Sequence, residues 1–491
     1  MPAIITDLFK KQMMQNILDE TTSGSHNYYI AIGKSSQWDS AETVPTPTDT
    51  PRTVRGMRSA IQSMKKVEGT SFVVPRHNWT SGRVYSAYDD DLTTIPSNTY
   101  YVLTEENQVY ICLQQGRDNN GTALASTVKP AITDTVKPFK TSDGYKWKFL
   151  YTLSAPNANK FLSANFMPVE KQTMDSAKVD TLTGTSNFTV IQEQQKEVDS
   201  NATPGQIIGV VVTNGGTGYT SSNPTVTIVG DGDSAVATAT AVGGVITKIE
   251  LDSSADSCMK MGHGYNFASV TIAAPDSSGG TQATARAIFA GDSGMGADPR
   301  DELKATSLMF NIKPEGEGDA GTVSRKTFLI GKGTTAQNFR QVALIRNPFA
   351  SDSAASGSFY AASTGLSLQT LRLTDSTQTD TFDIDKIVTG GTSGAKAIID
   401  GVDITTGFHP KLIVHQDSAL TGFLPFQEGE NVTAPGGGSG TLAAAGVDAD
   451  TNAFDVSDVN KTSGEILYIE NRAPVSRASG QTEDIKVVIT L

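Results

Sequence analysis

A short glycine-rich pattern occurs twice within residues 204–290, and this repeat limits the possible fold more than any other feature of the sequence. Residues 215–219 (GGTGY) precede a PTVTI run, and residues 262–265 (GHGY) precede ASVTI. Two alanine-rich runs, 237–241 and 283–287, stand at the same 46-residue offset as the two tyrosines. A repeat of this length is typical of one β unit used twice, in which Gly supplies positive-φ turns and alternating Val and Thr supply strands.

A second biased stretch, residues 374–454, also contains an internal echo. The run FDIDKIVTGGTSGAKAII begins at Phe382, and the similar run FQEGENVTAPGGGSGTLA begins at Phe426. Insertions enter surface loops at low entropic cost. We therefore predict two small inserted β domains, 204–290 and 374–454. The rest of the chain is predicted to form one discontinuous core, which comprises residues 1–203, 291–373 and 455–491.

The remaining sequence alternates short apolar runs with turn residues, which favours many short strands over long helices. At 491 residues the chain exceeds what one hydrophobic core usually supports. One short helix is expected from Thr6 to about Glu20, and another from Pro51, each with apolar residues at helical spacing. These residues are Ile5, Leu8, Phe9, Met13 and Ile17 in the first helix and Val54, Met57, Ile61 and Met64 in the second. The sequence thus predicts a mainly β protein with a few short helices in its loops.

Aromatic side chains alternate along one predicted strand, DGYKWKFLYTL at residues 143–153. Tyr145, Trp147, Phe149 and Tyr151 fall on one face, because side chains of a strand point alternately to its two sides. Such a face is either packed in a core or turned towards another subunit. Both interpretations remain open from the sequence.

The overall charge and the cysteine content exclude several classes of partner. The net charge is −13, which repels phosphate, so we expect neither nucleic acid nor an anionic bilayer as a partner. The two cysteines, Cys112 and Cys258, cannot build a disulfide framework, which suits assembly in a reducing cytoplasm. No apolar run approaches the roughly 18 residues that span a bilayer, and no signal core is evident. Neither secretion nor membrane insertion is indicated.

A local basic cluster stands out against this acidic background. It contains Arg52, Arg55 and Arg58, followed by Lys65 and Lys66. On a helix, the three arginines at three-residue steps form one slowly drifting line. The line is either a solvated helix face or a contact for an acidic surface on a partner protein.

Several short motifs look like catalytic or metal-binding patterns but lack the partners that such chemistry needs. GDSG at residues 291–294 copies the nucleophile loop of chymotrypsin-like proteases, yet no histidine stands in a matching context. The turns at 231–233 (DGD) and 89–91 (DDD) could contribute to a calcium site but are interpreted as plain turns. The dipeptide at 331–332 (GK) lacks the upstream glycine of a phosphate loop.

The histidines and carboxylates give no positive sign of a catalytic centre. No histidine falls in an HExxH or similar zinc-binding pattern. The histidines are His26, His77, His263, His409 and His415. A carboxylate pair for glycoside hydrolysis cannot be located among 52 acidic residues. We predict no catalytic, metal-binding or cofactor-binding residue and no enzymatic activity.

Six stretches outside the two biased segments resemble a known family in the same order along the chain. The family is the baseplate wedge subunit of T-even-like contractile-tailed bacteriophages. The longest stretch is SGEILYIENRAPVSRASGQTEDIKVVITL, residues 463–491. The other five are IAIGKSSQW (30–38), PTDTPRTVRGM (47–57), VVPRHNW (73–79), DGYKWKFLYTL (143–153) and NFRQVALIRNPF (338–349). The two biased segments lie outside the resemblance and depart from the family pattern.

This resemblance implies a dimeric, layered β-sandwich without catalytic activity or cofactor. Such a subunit bridges neighbouring wedge proteins in the virion tail baseplate and is assembled in the host cytoplasm. One alternative is a receptor-binding or adhesin-like virion protein whose inserted β domains contact host surface glycans. Another is a tail-associated enzyme that degrades polysaccharide.

Overall fold

The computed structural model of the protein divides the chain into two compact units. The first unit comprises Met1–Gln15, Ser71–Leu308 and Thr490–Leu491, and the second comprises Asn16–Thr70 and Met309–Ile489. The described residues are 4–34, 37–171, 189–221, 223–254, 257–313, 339–351, 358–374, 382–403, 410–417, 420–444, 454–455, 457–475 and 484–491.

Strands account for 40% of the described residues and helices for 12%, which confirms the predicted mainly β fold. The helices of the described residues are α1 (Asp7–Ser23), α2 (Pro51–Ala60), α3 (Ala155–Phe161), α4 (Val190–Ser200) and α5 (Pro299–Glu302). The strands up to residue 312 are β1 (Tyr28–Gly33), β2 (Ile61–Lys66), β3 (Gly69–Pro75), β4 (Tyr101–Leu103), β5 (Gln108–Gln114), β6 (Phe139–Lys140), β7 (Lys146–Thr152), β8 (Phe166–Val169), β9 (Ile207–Asn214), β10 (Val226–Gly230), β11 (Asp233–Ala235), β12 (Ala237–Val242), β13 (Val245–Leu251), β14 (Met261–His263), β15 (Ala268–Ile272), β16 (Thr284–Phe289) and β17 (Ser307–Ile312). The strands that follow are β18 (Phe339–Arg346), β19 (Phe349–Ala350), β20 (Thr364–Leu366), β21 (Gln369–Arg372), β22 (Ile387–Gly390), β23 (Lys396–Asp403), β24 (Lys411–His415), β25 (Asn431–Ala434), β26 (Gly438–Thr441), β27 (Phe454–Asp455), β28 (Val459–Asn460), β29 (Glu465–Val475) and β30 (Ile485–Thr490).

An aromatic core lies on the four-stranded sheet β4-β5-β7-β6 of the first unit. The four aromatic side chains that alternate at residues 145–151 are all at most 2% exposed. The rings of Tyr145 and Trp147 stack with centroids 5.6 Å apart, and Phe149 meets Tyr110 edge-on at the same distance. Val198 of α4 belongs to the same cluster. Of the two interpretations of the aromatic stripe, core packing is therefore confirmed.

The repeat in residues 204–290 folds as two matching β units. Strands β10, β15, β16 and β9 form one antiparallel sheet, in that order, and β12 and β13 form a hairpin. The VTI strand of each repeat pairs with the other, Val226 opposite Ile272 and Ile228 opposite Val270. Because equivalent residues pair reciprocally, the two repeats are related by a local twofold axis between β10 and β15.

Each repeat supplies an aspartate that holds a loop of the other. The Asp231 carboxylate, after β10, accepts hydrogen bonds from the backbone N–H of Asn266 (2.9 Å) and of Phe267 (3.2 Å). The Asp276 carboxylate, after β15, accepts from the backbone N–H of Thr220 and Ser221, both at 2.9 Å. The Asn266 side-chain amide, which also donates to Asp231 at 2.9 Å, and the backbone bonds hold the pKa of the Asp231 carboxyl below its usual value, and the bonds from Ser221 and Thr220 do the same for Asp276. The repeat is therefore a reciprocally capped pair.

The repeat segment leaves the rest of the first unit and returns to it at adjacent positions. Its first strand, β9, pairs with its last, β16, so that Ile207 lies opposite Phe289. The backbone N–H of Ala290 donates to the carbonyl of Gln206 at 2.9 Å. The chain thus enters and leaves this segment one hydrogen bond apart.

The second unit contains a five-stranded sheet, β20-β2-β1-β18-β29, with β1 buried along its whole length. The helix predicted from Pro51 ends at Ala60, earlier than the apolar spacing indicated. From Ile61 the backbone is extended, because β2 pairs with β1 and β20. Met57 and Met64, both fully buried, still share one core although they lie on different elements. Here strand pairing overrides a helical period.

The second unit also contains a seven-stranded sheet, β26-β25-β22-β23-β24-β21-β27. The two echoed runs of residues 374–454 form the hairpins β22–β23 and β25–β26, which lie side by side through the β22–β25 pair. Phe382 and Phe426, the first residues of the two runs, are 7% and 8% exposed and belong to one core with Val388 and Val432. The echo therefore corresponds to a duplicated hairpin.

Candidate functional site

The predicted arginine line lies on α2, whose first turn is fixed by its cap and by proline. The Thr50 side chain accepts a hydrogen bond from the backbone N–H of Thr53 at 3.3 Å, and Pro51 supplies a φ suited to a helix start. Arg52 and Arg55 are exposed. Their guanidinium groups are thus accessible to a partner.

Arg58 has a different environment from the other two arginines. Its Nη1 donates to the carbonyls of Lys461 (3.1 Å) and Ser463 (2.5 Å), and its Nη2 donates to that of Gly464 (2.7 Å). Burial lowers the pKa of Arg58. The side chain fastens the turn before β29 to α2, a role that the sequence did not indicate. A partner contact by the arginine line stays a prediction and rests chiefly on Arg52 and Arg55.

A buried ion pair joins the seven-stranded sheet to β2 within the second unit. Between β23 and β24 the register shifts, which leaves Asp400 as an extra residue in a β-bulge. Its Oδ2 lies 2.5 Å from Nδ1 of His415, and its Oδ1 accepts from Nε2 of Gln62 at 3.1 Å. The side chains of His415 and Asp400 are 3% and 1% exposed. Bulges re-aim side chains, and this one turns a carboxylate into the core.

The electrostatics of this pair favour the charged histidine. Burial acts to lower the pKa of His415, but the Asp400 carboxylate outweighs burial and raises the pKa above its usual value. Burial lowers the pKa of the nearby Lys461 and raises that of Asp385. Because the His415–Asp400 pair is enclosed, we assign it a structural role: its charge-assisted hydrogen bond joins neighbouring strands of the sheet.

A second buried acid lies in the first unit, at the end of α5. The Oε1 atom of Glu302 accepts from the backbone N–H of Gly296, while Oε2 has no hydrogen-bond partner among the described residues. Burial raises the pKa of Glu302 to about 8. Burial lowers the pKa of Lys148 to about 8, and its Nζ donates to the carbonyls of Thr135 (3.1 Å) and Val136 (2.9 Å). Burial, rather than a substrate, accounts for both shifted values.

The acidic motifs considered as calcium ligands have partners within the chain. Asp89 and Asp90 both bind the guanidinium of Arg286, with Asp90 Oδ1 at 2.7 Å from Nη1. Asp90 also accepts from the backbone N–H of Phe289 at 2.9 Å. Asp233 pairs with His263 at 3.2 Å. Within the described part of the chain, no group of three or more His, Cys, Asp or Glu side chains could hold a metal ion.

The remaining histidines and the GDSG turn lie in separate surroundings. His26 lies 3.8 Å from the Glu20 carboxylate, and the His77 ring meets Tyr101 edge-on with centroids 5.3 Å apart. Ser293 is exposed in the turn after β16. His409 and the 331–332 dipeptide lie outside the described residues. The described histidine contacts do not include this serine.

A cavity of about 190 Å³ opens in the first unit between β5 and the strands β9 and β13 of the repeat segment. Charged groups that line it are engaged within the chain. Lys248 lies 3.0 Å from Glu250, and Arg117 donates to the carbonyl of Gly121 at 2.6 Å. The cavity therefore presents paired charges rather than groups set to receive a ligand.

Sequence reasoning missed the contacts that fasten the repeat segment to the rest of the first unit. Besides the Arg286 pair, Lys146 Nζ donates to the carbonyl of Leu251 at 3.2 Å, and Thr247 Oγ1 donates to that of Asn119 at 2.7 Å. The available signal in the sequence was Arg286, the one charged residue of the run ATARA at 283–287.

No helix within the described ranges is long and apolar enough to cross a membrane.

One comparison with known protein families finds a match to the C-terminal part of the sequence. The family model described as Phage-Gp8, bacteriophage T4 Gp8, matches residues 408–491. The match supports a relationship with the baseplate wedge of T4-like phages and a structural role there. The matched range begins inside the segment 374–454, so residues 408–454 of that segment lie within the match. No curated protein sequence matches the chain.

Proposed function

We propose that the protein is a structural subunit of a phage tail baseplate wedge, which dimerises and bridges neighbouring wedge proteins during tail assembly and host attachment. The observation that carries this proposal is the match of residues 408–491 to the bacteriophage T4 Gp8 family. The ordered resemblance of further stretches outside that range points in the same direction. The proposed location is the virion tail baseplate, after assembly in the host cytoplasm.

The geometry of the chain supports a structural rather than a catalytic role. Three groups with shifted pKa values, Glu302, Lys148 and His415, are buried in the two units. A site that acts on a polymer needs such groups in an accessible cleft. The family match lends no support to the alternative role in glycan binding.

Mass spectrometry of purified intact phage particles tests the proposal. Peptides of this chain should be found in the particles and should remain with isolated tails after head removal. Sedimentation of the purified chain should give twice the mass of 51.8 kDa. Absence of the chain from particles would refute the baseplate role, and a monomer at micromolar concentration would refute dimerisation.

A further inference from the structure

The first half of α1 exposes an apolar face to solvent. Ile5, Leu8 and Phe9 are 64%, 67% and 55% exposed, and Met13 is 42% exposed. Ile4 and Ile5 both precede the helix, and Ile4 is 85% exposed. Ile5, Leu8, Phe9 and Met13 belong to the stripe that the sequence indicated, and all four are exposed, whereas Ile17 of the same stripe is half-buried.

Another face of the same helix, which carries polar and apolar side chains, is the one that packs on the first unit. Lys11 Nζ lies 3.5 Å from Asp298 and also pairs with Asp301. Arg300 Nη1 donates to Gln15 of α1. Met14, between these polar anchors, is fully buried.

The exposed apolar side chains thus depart from the usual arrangement of a surface helix. A surface helix normally turns its apolar stripe to the core and its charges to water. Here ion pairs hold the helix in place, and they leave the apolar stripe accessible. Exposed contiguous apolar surface of this kind marks interaction sites.

The positions of the exposed residues fit one mode of recognition. Leu8, Phe9 and Met13 lie on one face of α1, and Ile5 precedes the helix, so the face suits an apolar groove that receives the start of a helix. The same face continues with the uncharged Gln12 and Asn16. A matching groove therefore needs apolar walls and no countercharge.

The size of the face distinguishes between possible occupants. At roughly 150–200 Å² per large side chain, the exposed fractions amount to about 500–600 Å². A stable dimer needs about 800 Å² from each partner, so two such helices across a twofold axis fall short. A face of this size suits one contact among several in a larger assembly.

We propose that residues 4–13 dock into an apolar groove on a different protein of the same assembly. This inference rests on the proposed function, because the assembly is taken to be the baseplate wedge. It adds to that proposal a specific contact surface and the chemistry of the surface that receives it.

The test is incorporation of a variant into particles. Leu8→Asp with Phe9→Asp places charge on the face without loss of the helix, since acidic residues in the first turn favour the helix dipole. In a phage that lacks the native chain, incorporation of this variant should fall about tenfold or more. Phe9→Ala, which adds no charge, should show a smaller loss in the same direction. Equal melting temperatures of variant and wild type establish that the fold is kept.

The matched control is Val229→Asp with Phe267→Asp, since these apolar side chains are 59% and 65% exposed in the repeat segment. The control should be incorporated like wild type. Wild-type incorporation of both the aspartate and alanine variants of α1 would overturn the groove contact alone, whereas absence of the wild-type chain from particles would overturn the proposed function with it. If sedimentation shows a wild-type dimer that the α1 variant converts to monomer, the occupant is a second copy and the groove proposal is wrong.

Discussion

His415 and Asp400 form a buried ion pair, whereas His263 and Asp233 form a pair of the same chemistry with 60% and 70% of their side chains exposed. Exposed pairs contribute little, because water screens the attraction and the side chains lose freedom. A buried pair is weak evidence of net stabilisation, but the loss of one partner leaves an uncompensated charge. The chain thus contains its own matched comparison for the effect of burial.

Replacement of Asp400 by Asn should lower the free energy of unfolding by about 3–5 kcal/mol at neutral pH, because His415 loses its countercharge. The same change at Asp233 should alter it by no more than about 0.5 kcal/mol. Chemical denaturation measures both values. Similar effects at the two positions would show that the buried pair is not an energetic contact.

The same pair gives the pH dependence a definite sign. Asp400 raises the pKa of folded His415 above the value of 6.5 for a free histidine. The bound proton therefore contributes stability below about pH 6.5, and this contribution is lost as the pH rises through the folded pKa. The wild-type advantage over Asp400→Asn should shrink between pH 6 and pH 9. A constant difference would mean that His415 does not titrate in this range.

The buried carboxyl of Glu302 should also make the protein less stable as the pH rises. Its folded pKa of about 8 exceeds the value of 4.5 for a free glutamate, so stability present below pH 4.5 is lost as the pH rises towards 8. Glu302→Gln, which stays neutral, should be more stable than wild type at pH 8 by on the order of 4 kcal/mol, and nearly equal to it at pH 4. Unfolding curves at the two pH values measure this. Glu465→Gln, with a carboxylate 62% exposed, is the control and should show no such gain.

Among the elements, strands of strong alternation were predictable and side-chain partnerships across them were not. The aromatic period of β7 and the duplicated VTI strands are visible in sequence, because a face of two-residue period must be buried or paired. The α2–β2 boundary was missed, since Met57, Ile61 and Met64 fit a helix but pack in one core from two elements. The His415–Asp400 pair depends on a bulge, which no periodicity reveals. The reciprocal caps of the repeats were equally invisible, since each joins residues about 35 to 56 positions apart.

Excision of residues 204–290 tests whether the repeat segment is a separate domain, as we propose. Gln206 and Ala290 are joined by a backbone hydrogen bond, so a short Gly-Ser linker can close the gap without strain. The shortened chain should remain soluble and melt cooperatively. Its melting temperature should fall, since Lys146 and Asp90 lose partners in the segment. Aggregation, or loss of a cooperative transition in calorimetry, would refute the separate-domain scheme.

At the scale of the whole molecule, the two compact units do not follow the boundaries of the inserted segments. Residues 204–290 lie within the first unit, and 374–454 lie within the second. Sequence composition shows where the residue types of a segment differ from those of its neighbours, whereas compact units reflect where residues pack most densely. The division into a core and two inserts therefore stays a proposal. Because the net charge of the chain is −13, the exposed arginines on α2 form a local positive region on an otherwise acidic protein.

Arg52→Glu with Arg55→Glu should slow wedge assembly, most strongly at low salt, because the exposed arginines would steer an acidic partner surface. Arg58 is left unchanged, since it holds the 461–464 turn. Light scattering of wedge proteins mixed at two ionic strengths measures the rate. Arg83→Glu with Lys140→Glu makes the same change in net charge at other exposed positions and serves as the control. Equal rates for both variants at low salt would assign the arginines to a solvated face.

The adjacent entry and exit of residues 204–290 have a mechanical consequence. A tension carried along the backbone of the first unit passes from Gln206 to Ala290 across one hydrogen bond and the β9–β16 ladder. The strands between β9 and β16 lie off that path and do not carry the tension. The segment adds volume and surface to the subunit without adding extensible length, so a pull on the surrounding backbone would load the ladder before it loads either repeat.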